Sequence, residues 1–252
     1  MEIFEVIILG VLQGVTEFLP VSSSGHLVIA QHLLGINSPG NTLEILFHFG
    51  TLLSVIFVFF NEIESILISL HERNTQILIG YLIIATIPAV FVGIGMKDYL
   101  LSIFDNVKYV GSALLFTGCI LLLSSKFNHS QKKHSFFSSL AVGVAQALAI
   151  IPGISRSGAT ITMSIYLGIA PKEAAKFSFL LSVPVILGAS LLSIFELEKD
   201  VIIDSLTIFV AIFTSFIVGI LALKFLLKML EVGKFHFFGV YCLGAGFFAI
   251  LL

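Results

Sequence analysis

Pro20-Val21-Ser22-Ser23-Ser24-Gly25-His26 breaks an apolar stretch over residues 3–36, and Pro152-Gly153-Ile154-Ser155-Arg156-Ser157-Gly158 breaks a second over residues 136–170. A proline lacks the backbone donor and disfavours helix in the residue before it, so each motif ends one helix. The serines behind it can cap the first N–H groups of a new one. Each new piece runs only to Gly35 or Gly168. That is too short for a bilayer, which needs about 20 helical residues. Both regions therefore read as re-entrant helix hairpins. Irregular backbone at membrane depth is tolerated only inside protein or along a wet cavity.

The rest of the chain agrees with a membrane setting. Of 252 residues, 58% are hydrophobic and 11% charged, with a mean hydropathy of +1.10. A soluble domain carries about 25% charged residues. Soluble enzyme, nucleic-acid binder and secreted disulfide scaffold are excluded, and a net charge of -2 offers nucleic acid no basic patch. Six apolar runs at about 43–60, 77–96, 107–123, 177–195, 201–227 and 235–252 are expected to span as helices. They lack the alternation of barrel strands. Cys119 and Cys242 sit in apolar runs and read as packing thiols, and Met1-Glu2-Ile3-Phe4-Glu5 lacks a signal peptide's basic start.

The two broken regions are copies. An offset of 133 residues superposes Gly10 on Gly143, Gln13 on Gln146, Ser22 on Ser155, Ser24 on Ser157, Gly25 on Gly158 and Leu34-Gly35-Ile36 on Leu167-Gly168-Ile169. The expected fold is an all-α polytopic membrane protein, one domain over 1–252. Repeats 1–125 and 134–252 flank a cytoplasmic linker at 126–133. Each repeat holds one hairpin and three spans. Three is odd, so the second enters from the opposite face, an inverted-topology repeat that brings the hairpins together near the midplane. Arg73, Lys126, Lys132, Lys133, Lys172, Lys176, Lys224, Lys228 and Lys234 fall on one side, against Lys97, Lys108 and Lys199 on the other. The richer side should be cytoplasmic, leaving both termini and the acidic loop with Glu196, Glu198, Asp200 and Asp204 outside.

Intramembrane ionisable groups are functional candidates by default. Here they concentrate in the hairpins as Glu17, His26 and Arg156, with Gln13 one helical turn before Glu17. Ser22, Ser23, Ser24, Ser155 and Ser157 cluster beside them, Gly25 and Gly158 follow, and Thr160 lies one turn further on. Helix N-termini carry roughly +0.5 charge and bind anions. Two of them, with the Arg156 guanidinium, would grip a phosphate or diphosphate. A carboxylate beside such a cradle implies a divalent cation, Mg²⁺ or Ca²⁺, held by Glu17 with the Gln13 carbonyl. The repeat splits these charges, since Glu17 maps to Ile150, His26 to Ala159, and Ser23 to Arg156. One asymmetric site at a pseudo-symmetric interface is expected.

With Gln13-x-x-x-Glu17, Ser22-Ser23-Ser24-Gly25-His26 and Pro152-Gly153-x-Ser155-Arg156-Ser157-Gly158-x-Thr160, the chain resembles the undecaprenyl-diphosphate phosphatases of the bacitracin-resistance family over essentially its whole length. That family's marks are an (E/Q)xxxE and a PGxSRSxxT motif. The resemblance implies a bacterial inner-membrane hydrolase that turns a C55 polyprenyl diphosphate into monophosphate and inorganic phosphate. The reaction recycles the lipid carrier of cell-wall synthesis and confers bacitracin resistance. It further implies a cation-dependent site open to the outer face, with Glu17 assisting the metal, His26 as acid/base, Arg156 clamping phosphates and Ser23 as favoured nucleophile. Attack by Ser23 or by a His26-activated water both remain open from sequence.

Other candidates read more blandly. Glu44 and His48 are expected to make cap or loop contacts, and His71, His129, His134 and His236 to be solvated. Gly111, Gly219, Gly244 and Gly246 read as helix-packing positions. Expected partners are the polyprenyl diphosphate and membrane lipids, and a homo-oligomer stays open. The rival function is a secondary transporter or flippase for a polyprenyl phosphate or other anion, whose architecture would look alike.

Overall fold

A computed structural model describes residues 3–34, 42–95, 106–125, 132–196 and 204–252. Glu198, Asp200, Lys97, Lys126, Lys199, His129, the Gly35-Ile36 end of the first hairpin and most of the 126–133 linker fall outside them. Eleven helices are described: α1 (Ile3–Phe18), α2 (Ser23–Leu34), α3 (Thr42–Val58), α4 (Phe60–Ile68), α5 (Arg73–Gly95), α6 (Val107–Ser124), α7 (Phe136–Leu148), α8 (Arg156–Tyr166), α9 (Pro171–Glu196), α10 (Ser205–Glu231) and α11 (Phe237–Leu251). The chain is an all-α, multi-pass membrane protein.

Both interruptions fall where the prolines put them. α1 stops at Phe18 and α2 starts at Ser23, while α7 stops at Leu148 and α8 starts at Arg156. Ser22 Oγ accepts from the N–H of Gly25, and Ser155 Oγ from that of Gly158, so each short helix is capped three residues in.

Four helices are long and apolar enough to cross a membrane: α5, α6, α9 over Pro171–Leu191, and α10. α3 and α4 together are also apolar enough, but the pair is bent by 72° at Phe59 and forms either one broken span or a re-entrant loop. The sixth expected span, α11, is a shorter apolar helix of 15 residues.

Packing is exchanged between the halves. α1 lies on α10, with Gly10 and Gly14 against Thr214, Ser215 and Val218. Its copy α7 lies on α5, where a Cβ at Gly143 would come 2.7 Å from the Ala85 carbonyl oxygen. α6 and α11, last in their halves, pack on each other through Gly111, Gly118, Gly239 and Gly246. Small residues permit such approaches, which in lipid are held by van der Waals contact. Gly244 departs from expectation, since nothing lies within 4 Å of its side-chain position.

The largest apolar cluster joins the halves behind the first break. Phe18 meets Phe179 edge-on at 5.8 Å between ring centroids, and Phe59 stacks on Phe179 at 5.8 Å. All three are buried. They fix the end of α1, and therefore its neighbour Glu17, against α9 and α3.

Both cysteines are free. Cys242 is buried toward the Pro20 carbonyl and Cys119 is exposed. His134 is not the solvated residue expected: its ring stacks on Phe177 at 3.8 Å, with both ring nitrogens buried and unpartnered among the described residues. Backbone pairing of Lys132 with the Gly168–Ile169 turn draws this segment inward.

Candidate active site

The turns after the two breaks meet. The N–H of Gly153 donates to Ser22 Oγ at 3.1 Å, and a Cβ on Gly25 would lie 3.1 Å from the Gly153 Cα. Gly153 has φ +96°, and an added Cβ would sit 2.5 Å from the Val110 carbonyl oxygen, so glycine is required there. Ser22 has φ 69°, a costly value for a non-glycine residue. Two N–H donors, from Gly25 and Gly153, hold its hydroxyl in that turn.

Glu17 is the hub. Arg156 Nη2 donates to its Oε1 at 2.7 Å, while its Oε2 accepts from Ser23 Oγ at 2.7 Å and Gln13 Nε2 at 3.0 Å. The carboxylate side chain is 6% exposed and the guanidinium 15%. A buried carboxylate with a bound cation and two donors escapes the cost of an unpaired charge in lipid. The pair does not exhaust its partners. Arg156 Nη1 and Gln13 Oε1 are buried with no hydrogen bond among the described residues.

Glu17 and Arg156 face a cavity of about 330 Å³ that Ser22, Ser23, Ser24 and Ser155 also line, with Gln13 buried behind Glu17. Ile150, Ile154, Val185 and Ile186 supply apolar walls. The N–H groups of Ser23, Ser24, Arg156 and Ser157 make no hydrogen bond among the described residues. They are the open donors of two helix N-termini, a ready anion site.

His48 also lines the cavity, contrary to the cap or loop contact expected of it. It sits on the second turn of α3, with Nδ1 3.0 Å from Gln13 Nε2 and 3.7 Å from Glu17 Oε2. Sequence reading missed it because His48 lies near the start of its helix with Glu44 four residues back, a pattern that suggests a local contact. Only tertiary packing brings α3 to α1. Glu44 accepts from Gln31 of α2 at 3.4 Å, a contact between two helices rather than the cap or loop contact expected.

His26, the expected acid/base group, points elsewhere. Its Nδ1 lies 2.8 Å from the Ser22 carbonyl oxygen, its Nε2 2.8 Å from the Tyr241 hydroxyl, and the two rings stack. It is buried and outside the cavity lining. Thr160 and Ser157 are likewise structural, with Thr160 Oγ1 bonded to the Arg156 carbonyl and to Ser178 Oγ, and Ser157 Oγ to Ser155 Oγ. Gly25 and Gly158 contribute close approach, Gly158 lying against Ser155 and Pro20.

No group of three or more His, Cys, Asp or Glu side chains converges among the described residues. Glu17 and the free Gln13 Oε1 are too few to cage a cation by themselves. They do fit one that shares its shell with phosphate oxygens and water, as Mg²⁺ commonly does.

The comparisons with known proteins point the same way. The chain is 42% identical to the undecaprenyl-diphosphatase of Halothermothrix orenii, over 100% of this chain and 98% of the relative. It is 40% identical to that of Desulforapulum autotrophicum over 100% and 98%, and 38% identical to undecaprenyl-diphosphatase 3 of Bacillus anthracis over 99% and 97%. Residues 6–248 match the family described as bacitracin resistance protein BacA, and with that match the chain belongs to this family.

Proposed function

We propose that this protein hydrolyses undecaprenyl diphosphate to the monophosphate and inorganic phosphate, recycling the carrier lipid of cell-wall synthesis and conferring bacitracin resistance. The observation that carries the reading is the Ser23–Glu17–Arg156 contact, one carboxylate holding a hydroxyl on one oxygen and a guanidinium on the other, both at 2.7 Å. A headgroup site alone has no use for a carboxylate bonded to a serine hydroxyl. That favours hydrolysis over the transporter or flippase reading.

The open N–H groups at the two helix starts and the unpartnered Arg156 Nη1 bind the terminal phosphate. Ser23 Oγ attacks its phosphorus in line, and its proton passes to Glu17 Oε2. The bond from phosphorus to the bridging oxygen breaks, and the polyprenyl monophosphate leaves. Water then attacks the phosphoserine, the serine oxygen recovers its proton from Glu17, and phosphate departs. Stabilising charge on the equatorial oxygens is the main catalytic demand of phosphoryl transfer.

His48 is the acid/base group of the cavity, for the water's proton. His26 holds the Ser22 turn and the Tyr241 side chain. A divalent cation, held by Glu17 and Gln13 Oε1 together with the substrate, would neutralise diphosphate charge. The site is placed in a bacterial inner membrane and opens to the outer face.

The test is phosphate release from C55 diphosphate by the purified protein. Release that EDTA removes and Mg²⁺ or Ca²⁺ restores, and that Ser23→Ala abolishes, is expected. Lipid translocation without phosphate release would instead establish the carrier.

A further inference from the structure

A second cavity, about 400 Å³, opens on the flank of α5 and is lined by Ile79, Ile83, Ile87, Val90, Phe91 and Pro184, all apolar. Thr86 also borders it, but its hydroxyl is spent on the Leu82 carbonyl at 2.8 Å. The groove adjoins the polar cavity along both helices. Pro184 lines the groove, while the next two residues of α9, Val185 and Ile186, line the polar cavity. From α5, the Cβ position of Gly93 lies 3.8 Å from Ile150 Cδ1, and Ile150 is another wall of the polar cavity. Pro88 and Pro184 lie inside their helices on either side of this seam. Each removes one backbone hydrogen bond from its helix.

We propose that this groove between α5 and α9 is the subsite for the first isoprene units of the lipid substrate. The inference rests on the phosphatase reading and adds where the tail goes. A diphosphate seated between Ser23 and Arg156 must release its hydrocarbon sideways into lipid. The α5–α9 seam supplies apolar residues between that seat and the membrane. At about 400 Å³ the groove is of the size that holds a small ligand. It therefore takes the units next to the headgroup, and the remaining isoprenoid lies in the bilayer. Ordinary acyl chains compete for the groove only as free lipid, whereas the tail is tethered to a bound headgroup and has a high effective concentration there.

Ile83→Trp and Ile87→Trp fill the groove from positions 57% and 45% exposed, so neither disturbs the core. Leu221→Trp, 63% exposed on α10 and outside the groove, is the control. Each is assayed on C55 diphosphate and on methyl diphosphate, which carries the headgroup without an isoprene unit. The expected result is a KM about tenfold higher on C55 diphosphate for the two groove variants, equivalent to about 1.4 kcal/mol. Kinetics on methyl diphosphate, and those of Leu221→Trp on both, stay unchanged. Unchanged C55 kinetics in both groove variants, or equal losses on both substrates, overturns the proposal. A benzophenone-bearing polyprenyl diphosphate bound to the unaltered protein should label residues 83–91, and labelling confined to other helices also overturns it. Absence of phosphate release from either substrate by the unaltered protein refutes the phosphatase reading instead.

Discussion

The two interrupted helix pairs, α1–α2 and α7–α8, share a backbone plan and divide the chemistry. At the cap position they are alike: Ser22 and Ser155 each accept from the N–H three residues on, at 3.3 and 3.1 Å. One residue later they diverge, with Ser23 in the first hairpin and Arg156 in the second. Both of these side chains end on Glu17, one on each oxygen. The matching position in the second hairpin is Ile150, an apolar wall of the cavity. Gln13 likewise serves Glu17 and His48, while its counterpart Gln146 donates only to the Ala85 carbonyl at 3.2 Å. With two helix starts brought together, one carboxylate serves the side chains of both.

That division can be broken on purpose. Ser23→Ala should lower turnover at least about 10³-fold, since removal of one central group in such sites commonly costs this much. Arg156→Ser, which makes the two helix starts alike, should lose as much. Activity above a tenth of normal in Arg156→Ser would mean that the second hairpin only supports the first. Gly153→Ala tests the frame itself and should cost about 3 kcal/mol or more, seen as a lower melting midpoint in detergent.

Gln13→Leu should slow turnover about 10- to 100-fold, the range seen when a supporting partner of a site is removed. Gln146→Leu should keep full turnover and change stability by about 1 kcal/mol at most. Equal effects of the two on turnover would erase the distinction between them. Ile150→Glu puts a second carboxylate where symmetry would have it, and repulsion of the diphosphate should raise KM about tenfold.

The smallest effect lies at the entrance to the second hairpin. Burial pushes His134 down to about 4. Unfolded, it titrates near 6.5. Between those values the unfolded chain binds the extra proton, so stability falls as pH drops from 6.5 towards 4. His134→Phe should flatten that part of a melting-midpoint profile, and an unaltered slope would place its cause elsewhere.

Much of this was legible in the residues themselves. Pro20 and Pro152 announced the breaks, and the offset between Ser22 and Ser155 announced their kinship. Glu17, Ser23 and Arg156 stood out because charge and hydroxyls are scarce in such a chain. What the sequence hid was direction. His26 and His48 are each a lone histidine in an apolar setting, and helical spacing does not say which faces the cavity. His26 turns to Tyr241, 215 residues away, and His48 turns to Gln13, 35 residues away. Spacing does not announce that Glu17 and Arg156 touch, since 139 residues separate them. The direct contact depends on how closely Gly25 and Gly153 let the turns approach. The span count was blurred for a simpler reason, because the bend at Phe59 and the short α11 leave no mark in an apolar run.

A structure of the protein with a non-hydrolysable polyprenyl methylenediphosphonate bears most directly on the claim that a single headgroup is gripped by both hairpins. Its terminal phosphonate should lie within hydrogen-bond distance of the helix-start N–H groups on both sides, with Ser23 Oγ facing the phosphorus and Arg156 on its oxygens. A headgroup bound by one hairpin alone, or outside this cavity, would contradict the account.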